Sequence, residues 1–290
     1  MSWFKVNLTC NRNDTSLIEE ILVAHGAISI SMIDEEGKNP IYEPMFGETP
    51  LWDKVKISAL FEETISKEII GIFLDGIWYS NLYITILDEQ NWIEKYQKNF
   101  NSIKFSNKLW VAPSWSKEIL PPESIKVVMD PGMAFGSGSH ETTHLCLQYL
   151  DSNPPKNLYV IDYGCGSGIL GISSILLGAR KVVAVDIDPQ AIISTTKNSK
   201  LNKVSNKICI LDSEQVIEDN ADILIANIYV NTLINLRDHF LKLIKSGGRL
   251  IFSGVQDQHL DRVVKNFESG ADIINSKQLN EWCLIEMAKK

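Results

Sequence analysis

The sequence predicts an α/β protein in which a small ferredoxin-like α+β domain and a linker precede a doubly wound, Rossmann-like domain. Three observations predict this arrangement. The first 90 residues show two β-α-β passes, strands and helices alternate from about residue 126, and a glycine-rich loop directly follows a strand of that second region. The predicted boundaries are 1–92 for the first domain, 93–125 for the linker and 126–290 for the second domain.

The first domain is predicted from its periodicity. Apolar residues at positions 4, 6, 8 and 10 alternate with polar ones, as in a half-buried strand. Asp14-Thr15-Ser16 offers N-cap chemistry for a helix that ends at Gly26, and a strand follows over 27–34. The order repeats as a strand over 55–62, a helix over 64–76 and a strand over 82–89. Two such units indicate a ferredoxin-like sandwich.

The linker is predicted to hold a short helix near 91–100 and an extended segment over 109–115. In the second domain the predicted strands are 158–162, 181–188, 207–212, 221–227 and 249–255. The predicted helices are 169–178, 189–202 and 230–244. This alternation predicts a parallel sheet, and the tail over 271–290 predicts a closing hairpin.

Composition and charge limit the classes of function. Five scattered cysteines, no basic-apolar leader and no run of 18 apolar residues predict a cytoplasmic protein without a membrane span. Residues 1–90 carry 15 Asp and Glu against 6 Lys and Arg, whereas the whole chain has a net charge of only -8. The negative excess therefore lies in the first third. Such a charge disfavours direct nucleic-acid binding and favours a basic partner, although a merely acidic soluble surface is the alternative.

The glycine loop follows the strand that ends at Asp162 and predicts a nucleoside ligand. Gly166, Gly168 and Gly171 fit a dinucleotide fingerprint, while Asp162, Gly164, Gly166 and Gly168 fit an S-adenosylmethionine (SAM) loop. An acid at Asp162 disfavours a pyrophosphate and suits the ammonium and sulfonium of SAM. The loop thus marks Asp162, Gly164, Gly166 and Gly168 as candidate cofactor-binding residues.

Two further polar residues end later strands at the same predicted edge of the sheet. Asp186 can accept both hydroxyls of a ribose, which serves NAD and SAM equally. Asn227 is either a turn residue or an amide that faces the cofactor and an incoming amine. We therefore treat Asn227 as a candidate for orienting the acceptor, with no residue predicted as general base.

The segment His140-Glu141-Thr142-Thr143-His144 matches the H-E-x-x-H pattern of zinc proteases. No third ligand follows at metalloprotease spacing, since the helix is expected to end near Asn153. The glycine-rich run before it instead indicates a loop that delivers a helix N-terminus, with Ser139 or His140 near the cap. No metal site is predicted.

Longer motifs carry a family resemblance. The run over 130–143, DPGMAFGSGSHETT, resembles the signature of the ribosomal protein methyltransferase family PrmA. The segments over 162–170 and 186–192 resemble its SAM loop and following acidic strand, and Ala226-Asn227-Ile228 and Ser253-Gly254 its later motifs. Glu43-Pro44, residues 47–49 and residues 109–115 resemble its N-terminal and linker elements.

The resemblance implies a class I, SAM-dependent protein methyltransferase. Its expected substrate is the basic large-subunit ribosomal protein L11, methylated at the N-terminal amine and at lysines after presentation by the N-terminal domain. By motif position, Thr143, Gly164, Asp186 and Asn227 are expected to contact SAM. The family varies at the position of His144. The chain departs from the family pattern at Ser137 and Ser139, and at Tyr229-Val230, where a small aliphatic pair is usual.

Other functions remain open at this point. The main alternative is a class I methyltransferase for another protein lysine or a small amine. An NAD-binding oxidoreductase conflicts with Asp162, and a nucleic-acid methyltransferase conflicts with the acidic N-terminal third. A SAM-binding module without turnover fits the same motifs. The glycine-rich loop over 132–139 is expected to close over the cofactor as a lid.

Overall fold

The computed structural model describes residues 3–35, 52–62, 64–87, 102–106, 108–130, 138, 140–215, 217 and 220–290. The chain folds as two compact units, Met1–Gln97 and Lys98–Lys290. The predicted helix near 91–100 and the motif residues at 43–44 and 47–49 lie outside the described residues, as does nearly all of the predicted lid. No helix within the described ranges has the length and apolar character needed to cross a membrane.

The first unit confirms the ferredoxin-like prediction. Its elements are β1 (Trp3–Asn11), α1 (Thr15–Ala24), β2 (Ser29–Asp34), β3 (Lys54–Phe61), α2 (Lys67–Phe73) and β4 (Tyr79–Leu87). The strands form one antiparallel sheet in the order β2-β3-β1-β4, in which each helix connects two strands that are separated by a third. The predicted alternation places Val6, Leu8 and Cys10 in the core between sheet and helices.

The start of α1 differs from the prediction. Residues Arg12–Asp14 form a 3-10 turn, and the Asp14 side chain makes no capping hydrogen bond. The Thr15 hydroxyl instead donates to the Arg12 carbonyl oxygen at 2.7 Å. The end of the helix is as predicted, because Gly26 adopts a φ of 96° and donates its N–H to the Val23 carbonyl.

The second unit contains a small three-stranded sheet of β5 (Ile103–Lys104), β6 (Leu109–Ala112) and β7 (Ile125–Val128). Strand β5 pairs antiparallel to β6, and β6 pairs parallel to β7. Residues predicted as linker thus fold with the second unit. The bounds 93–125 that the sequence gives for a linker stay a prediction.

The main sheet has seven strands in the order β10-β9-β8-β11-β12-β14-β13. These are β8 (Tyr159–Tyr163), β9 (Lys181–Asp186), β10 (Ile208–Asp212), β11 (Ala221–Asn227), β12 (Ile244–Gln256), β13 (Ala271–Leu279) and β14 (Trp282–Lys289). The first five are parallel, and β13 and β14 form the predicted antiparallel hairpin. The order reverses between β8 and β11, which is where doubly wound sheets bind ligands.

The helices around this sheet are α3 (Glu141–Ser152), α4 (Ile169–Leu176), α5 (Pro189–Leu201), α6 (Val230–Asn235), α7 (Arg237–Leu243) and α8 (Leu260–Phe267). The single helix predicted over 230–244 is two helices that meet at Leu236. Helix α8 was missed by the sequence prediction. Phe240 of α7, Phe252 of β12 and Phe267 of α8 are fully buried, and their tilted rings pack in a row with centroid separations of 5.8 and 4.9 Å, which joins both helices to the sheet.

Candidate functional site

The carboxyl ends of the central parallel strands bring the predicted site residues to one edge of the sheet. Asp162 lies next to the end of β8, Asp186 ends β9 and Asn227 ends β11. Tyr163 is paired with both Val185 and Ala226, so these three strand ends lie side by side. The structure therefore gathers residues separated by up to 65 positions in the sequence, since this edge is the crevice of a doubly wound sheet.

The glycine loop between β8 and α4 depends on backbone conformations that favour glycine. Gly164, Gly166 and Gly168 have φ angles of 74°, 54° and 80°. The N–H groups of Gly164 and Cys165 both donate to the Val185 carbonyl oxygen, at 2.8 and 3.0 Å. The loop is thereby tied to β9 before it enters helix α4.

Asp186 connects this loop to the start of helix α5. Its Oδ2 accepts the N–H of Gly166 at 2.8 Å, and its Oδ1 accepts the N–H of Asp188 at 3.0 Å. Each carboxylate oxygen has a further lone pair, so Asp186 can accept hydroxyl donors without losing these bonds. That Asp186 accepts the hydroxyls of a ribose stays a prediction, and this geometry supports it.

Asp162 is a carboxylate that is almost completely buried, with 1% of its surface exposed. Its Oδ2 accepts the N–H of Gly171 at 2.8 Å, whereas its Oδ1 has no hydrogen-bond partner among the described residues. Burial raises the pKa of Asp162, the Gly171 N–H lowers it and the negative charge of Asp186 adds a smaller increase, so that the pKa is raised to about 7 in all. An unpaired, buried carboxylate oxygen beside a glycine loop is suited to a cationic ligand group.

Replacement of Asp162 by Asn should change how stability depends on pH. The pKa of Asp162 is higher in the folded than in the unfolded chain. The stability that the chain loses by ionising this buried carboxyl therefore grows as pH rises from about 4 to about 7, and the loss is constant at higher pH. We expect Asp162→Asn to gain stability relative to the wild type across that window, by at most about 4 kcal/mol. Thermal midpoints between about pH 5 and about pH 8 measure this. A difference that is constant with pH would contradict it.

Helix α3 carries Thr143 to the same edge. His140 is its N-cap, because its Nδ1 accepts the N–H of Thr142 at 3.3 Å, as one of the two predicted caps. The Ser253 hydroxyl at the end region of β12 lies within hydrogen-bonding distance, 3.3 Å, of the Thr142 carbonyl. Thr143 is buried, and its Oγ1 accepts from Asn227 Nδ2 at 3.4 Å. Thr143 and Asn227, separated by 84 positions, are therefore neighbours.

The two histidines of the H-E-x-x-H segment have separate surroundings. His140 caps helix α3 and packs against Trp282 with a centroid separation of 5.1 Å. His144 has its Nε2 at 2.8 Å from Gln148 Nε2 and its ring 4.8 Å from that of Phe105. Within the ranges that the structure describes, no group of three or more His, Cys, Asp or Glu side chains is arranged to hold a metal ion.

Two residues of the site were missed from the sequence. Thr195 and Asn198 of helix α5 hydrogen-bond the carbonyl oxygens of the glycine loop, Thr195 to Gly166 and Asn198 to Ser167. A threonine and an asparagine three residues apart in a helix form no recognisable motif. The one signal in the sequence is that these two residues are polar at positions where the buried face of a helix is normally apolar.

The chain is similar to known proteins of one family over nearly its whole length. A family model described as ribosomal protein L11 methyltransferase (PrmA) matches residues 2–290. The chain is 37% identical over 285 residues to a ribosomal protein L11 methyltransferase of Psychrobacter arcticus, with 92% of this chain and 91% of that protein covered. It is 36% identical over 289 residues to the protein of that name from Idiomarina loihiensis, with 98% of both covered.

Among solved structures, the chain resembles a ribosomal protein L11 methylase from Lactobacillus delbrueckii subsp. bulgaricus. The TM-score is 0.62 at 27% sequence identity, and the match covers 66% of this chain and 100% of that one.

Proposed function

The chain belongs to the ribosomal protein L11 methyltransferase (PrmA) family, and we propose that it transfers methyl groups from SAM to the N-terminal α-amino group and lysine ε-amino groups of ribosomal protein L11. The observation that carries this proposal is the meeting of Asp162, Asp186, Thr143 and Asn227 at one sheet edge, beside the glycine loop, in a chain that matches the family over nearly its whole length.

The residues at this edge fit SAM. Asp162 Oδ1, buried and without a partner among the described residues, offers a carboxylate oxygen to an ammonium group. Asp186 offers acceptors to the two ribose hydroxyls. Positive-φ glycines at 164, 166 and 168 let a ligand approach the backbone closely. These features support SAM rather than a dinucleotide, because a pyrophosphate would be repelled by Asp162.

When bound, SAM supplies a methyl group on a positively charged sulfur. The acceptor amine, after releasing its proton to solvent, would form a nitrogen–carbon bond as the sulfur–carbon bond breaks, and the electron pair of that bond would go to sulfur. The chain contributes by holding the reactants in line and by excluding water. The acceptor must be neutral, which is easier for an α-amino group (pKa about 8) than for lysine (pKa about 10.4).

Asn227 is proposed to orient that neutral amine. Its Nδ2 donates toward Thr143 Oγ1, which directs the amide oxygen away from Thr143. An amide oxygen accepts a hydrogen bond from an amine but cannot take up its proton at neutral pH. Asn227 is therefore proposed to position the acceptor, and solvent takes the proton.

The acidic first third of the chain supports a basic protein substrate. Residues 1–90 carry 15 Asp and Glu against 6 Lys and Arg, and the described helices α1 and α2 expose acids such as Glu19, Glu20 and Glu68. Such a field raises the encounter rate with a positively charged partner. We therefore assign substrate recognition to the first unit, as part of the same proposal.

The test is incubation of the purified chain with SAM and recombinant L11, followed by intact-protein and peptide mass spectrometry. We expect mass gains in whole methyl steps that map to the N-terminal amine and to lysines. SAM binding by calorimetry without any mass gain would overturn L11 as the substrate. For the variant Asn227→Ala we expect kcat lowered by about 10²-fold, because the acceptor amine loses the amide proposed to orient it.

A further inference from the structure

Helix α5 presents an unusual inner face to the glycine loop. Thr195, Asn198 and Asn202 follow the i, i+3, i+7 spacing that places residues on one side of a helix. Thr195 and Asn198 are buried, with exposed fractions of 0% and 2%. A helix that packs on a sheet normally buries apolar residues there, and a buried polar side chain is stabilising only when it is hydrogen-bonded.

The partners of these side chains are backbone groups of the glycine loop. Thr195 Oγ1 donates to the Gly166 carbonyl oxygen at 3.0 Å, and Asn198 Nδ2 donates to the Ser167 carbonyl oxygen at 2.9 Å. Thr195 Oγ1 also lies 3.4 Å from Cys165 Sγ. Two successive carbonyl groups of the loop are thus held by the same face of α5.

Thr195 also fits the shape of the loop. A Cβ placed on Gly168 would lie 2.7 Å from Thr195 Cγ2 and 2.9 Å from Thr195 Oγ1. The threonine therefore occupies the space that the third positive-φ glycine leaves beside the backbone. Serine at this position would keep the hydroxyl and lose only the methyl group.

The same helix is fixed at both of its ends. Its first residues follow Asp188, whose N–H donates to Asp186 Oδ1 at 3.0 Å. At its other end, Asn202 Nδ2 donates to the Val128 carbonyl at 2.7 Å, and Asn202 Oδ1 accepts the Val128 N–H at 2.8 Å. Helix α5 is therefore a rigid support that is tied to the candidate ribose acceptor and to strand β7.

We propose that Thr195 and Asn198 are positioning residues for the cofactor, which hold the glycine loop in its ligand-binding conformation before the ligand arrives. This inference rests on the proposed function in taking SAM as the ligand. Glycines lose more conformational freedom on ordering than other residues, so a loop with three of them binds weakly unless something else orders it. Because C=O and N–H point in opposite directions across a trans peptide, fixing the Gly166 carbonyl also fixes the direction of the Ser167 N–H.

Thr196 provides a matched control on the same helix. Its Oγ1 donates to the Ile192 carbonyl oxygen at 2.8 Å, which is a bond within α5 itself. Thr195→Val and Thr196→Val therefore remove the same hydroxyl from neighbouring positions, and only the first removes a contact with the loop. A general loss of helix stability would affect both variants.

The test is the SAM dissociation constant of the full chain, measured by calorimetry, together with amide hydrogen exchange across residues 163–169 without ligand. For Thr195→Val we expect SAM binding weakened by about tenfold or more, with faster exchange in the loop. Thr195→Ser should recover most of the affinity, and Thr196→Val should bind within about twofold of the wild type. With L11 as substrate, Thr195→Val should raise the KM for SAM and leave the KM for L11 unchanged.

Equal SAM affinity of Thr195→Val and Thr196→Val, or unchanged loop exchange in Thr195→Val, overturns the inference. If Thr195→Val does not fold, Asn198→Leu serves instead, because it has a similar volume and removes the donor to Ser167 without adding a charge. Wild-type affinity in Asn198→Leu would then count against the inference. A wild-type chain that binds SAM but leaves L11 unmodified defeats the proposed substrate alone, since the binding and exchange measurements do not use L11.

Discussion

Gly164→Ala should abolish tight SAM binding and destabilise the second unit. The residue has a φ of 74°, where alanine costs about 1–2 kcal/mol. A Cβ at this position would lie 2.4 Å from Ile228 Cγ2, so the loop or the Ile228 side chain must shift. Ile228 follows Asn227 directly, so a shift on either side disturbs the cofactor loop or the surroundings of the residue proposed to orient the acceptor.

Calorimetry and thermal denaturation measure the two effects, and Gly247→Ala is the control. Gly247 also has a positive φ, 73°, but an added Cβ there meets no atom within 4 Å. Gly247→Ala should therefore show the backbone strain alone, with SAM affinity near that of the wild type. For Gly164→Ala we expect affinity lowered by about 10²-fold or more. The idea fails if the two variants bind SAM equally well.

The strands and the site residues at their ends were predictable from local patterns. Buried parallel strands are short apolar runs, and 158–162, 181–188 and 221–227 coincide closely with β8, β9 and β11. In a doubly wound sheet the carboxyl ends of such strands share one edge, so the nearness of Asp162, Asp186 and Asn227 followed from fold class alone. The glycine loop was visible because its positive φ angles favour one residue type.

What escaped prediction depends on tertiary contacts. The hydrogen bonds from Thr195 and Asn198 to the loop join residues about 30 positions apart in the chain, and neither residue type is restricted to that role. The pairing of β6 with β7 is likewise a contact that periodicity does not reveal. At the start of α1, Asp14 offered good capping chemistry, but the 3-10 turn over Arg12–Asp14 gives it a helical backbone instead of the extended one that capping requires.

Asp186→Ala should have the other large effect, because Asp186 is proposed to act on the ligand and on the site at once. In the folded chain it accepts the N–H groups of Gly166 and Asp188. Alanine leaves both donors without their acceptor and removes the proposed acceptor of the ribose hydroxyls. Hydrogen bonds to a charged group contribute about 1.5–3 kcal/mol each, so the loss of two at the ligand corresponds to an affinity lowered by about 10²-fold or more.

The neighbouring acid Asp188 separates this specific role from a general effect of removing charge. Asp188 is exposed and caps helix α5 by accepting the N–H of Gln190 at 2.9 Å. Asp188→Ala should cost about 1 kcal/mol of helix stability and leave the SAM dissociation constant within about threefold of the wild type. Each variant loses one negative charge, at positions two residues apart, so comparable losses of SAM affinity would indicate a general electrostatic effect in place of a ribose contact. A large loss of SAM affinity in Asp186→Ala alone would mean that the carboxylate either contacts the ligand or holds the glycine loop that contacts it. Asp186→Asn distinguishes a contact with the ligand from support of the loop. Its one amide oxygen can keep the hydrogen bond from Gly166, but it no longer offers two acceptor oxygens to the two ribose hydroxyls.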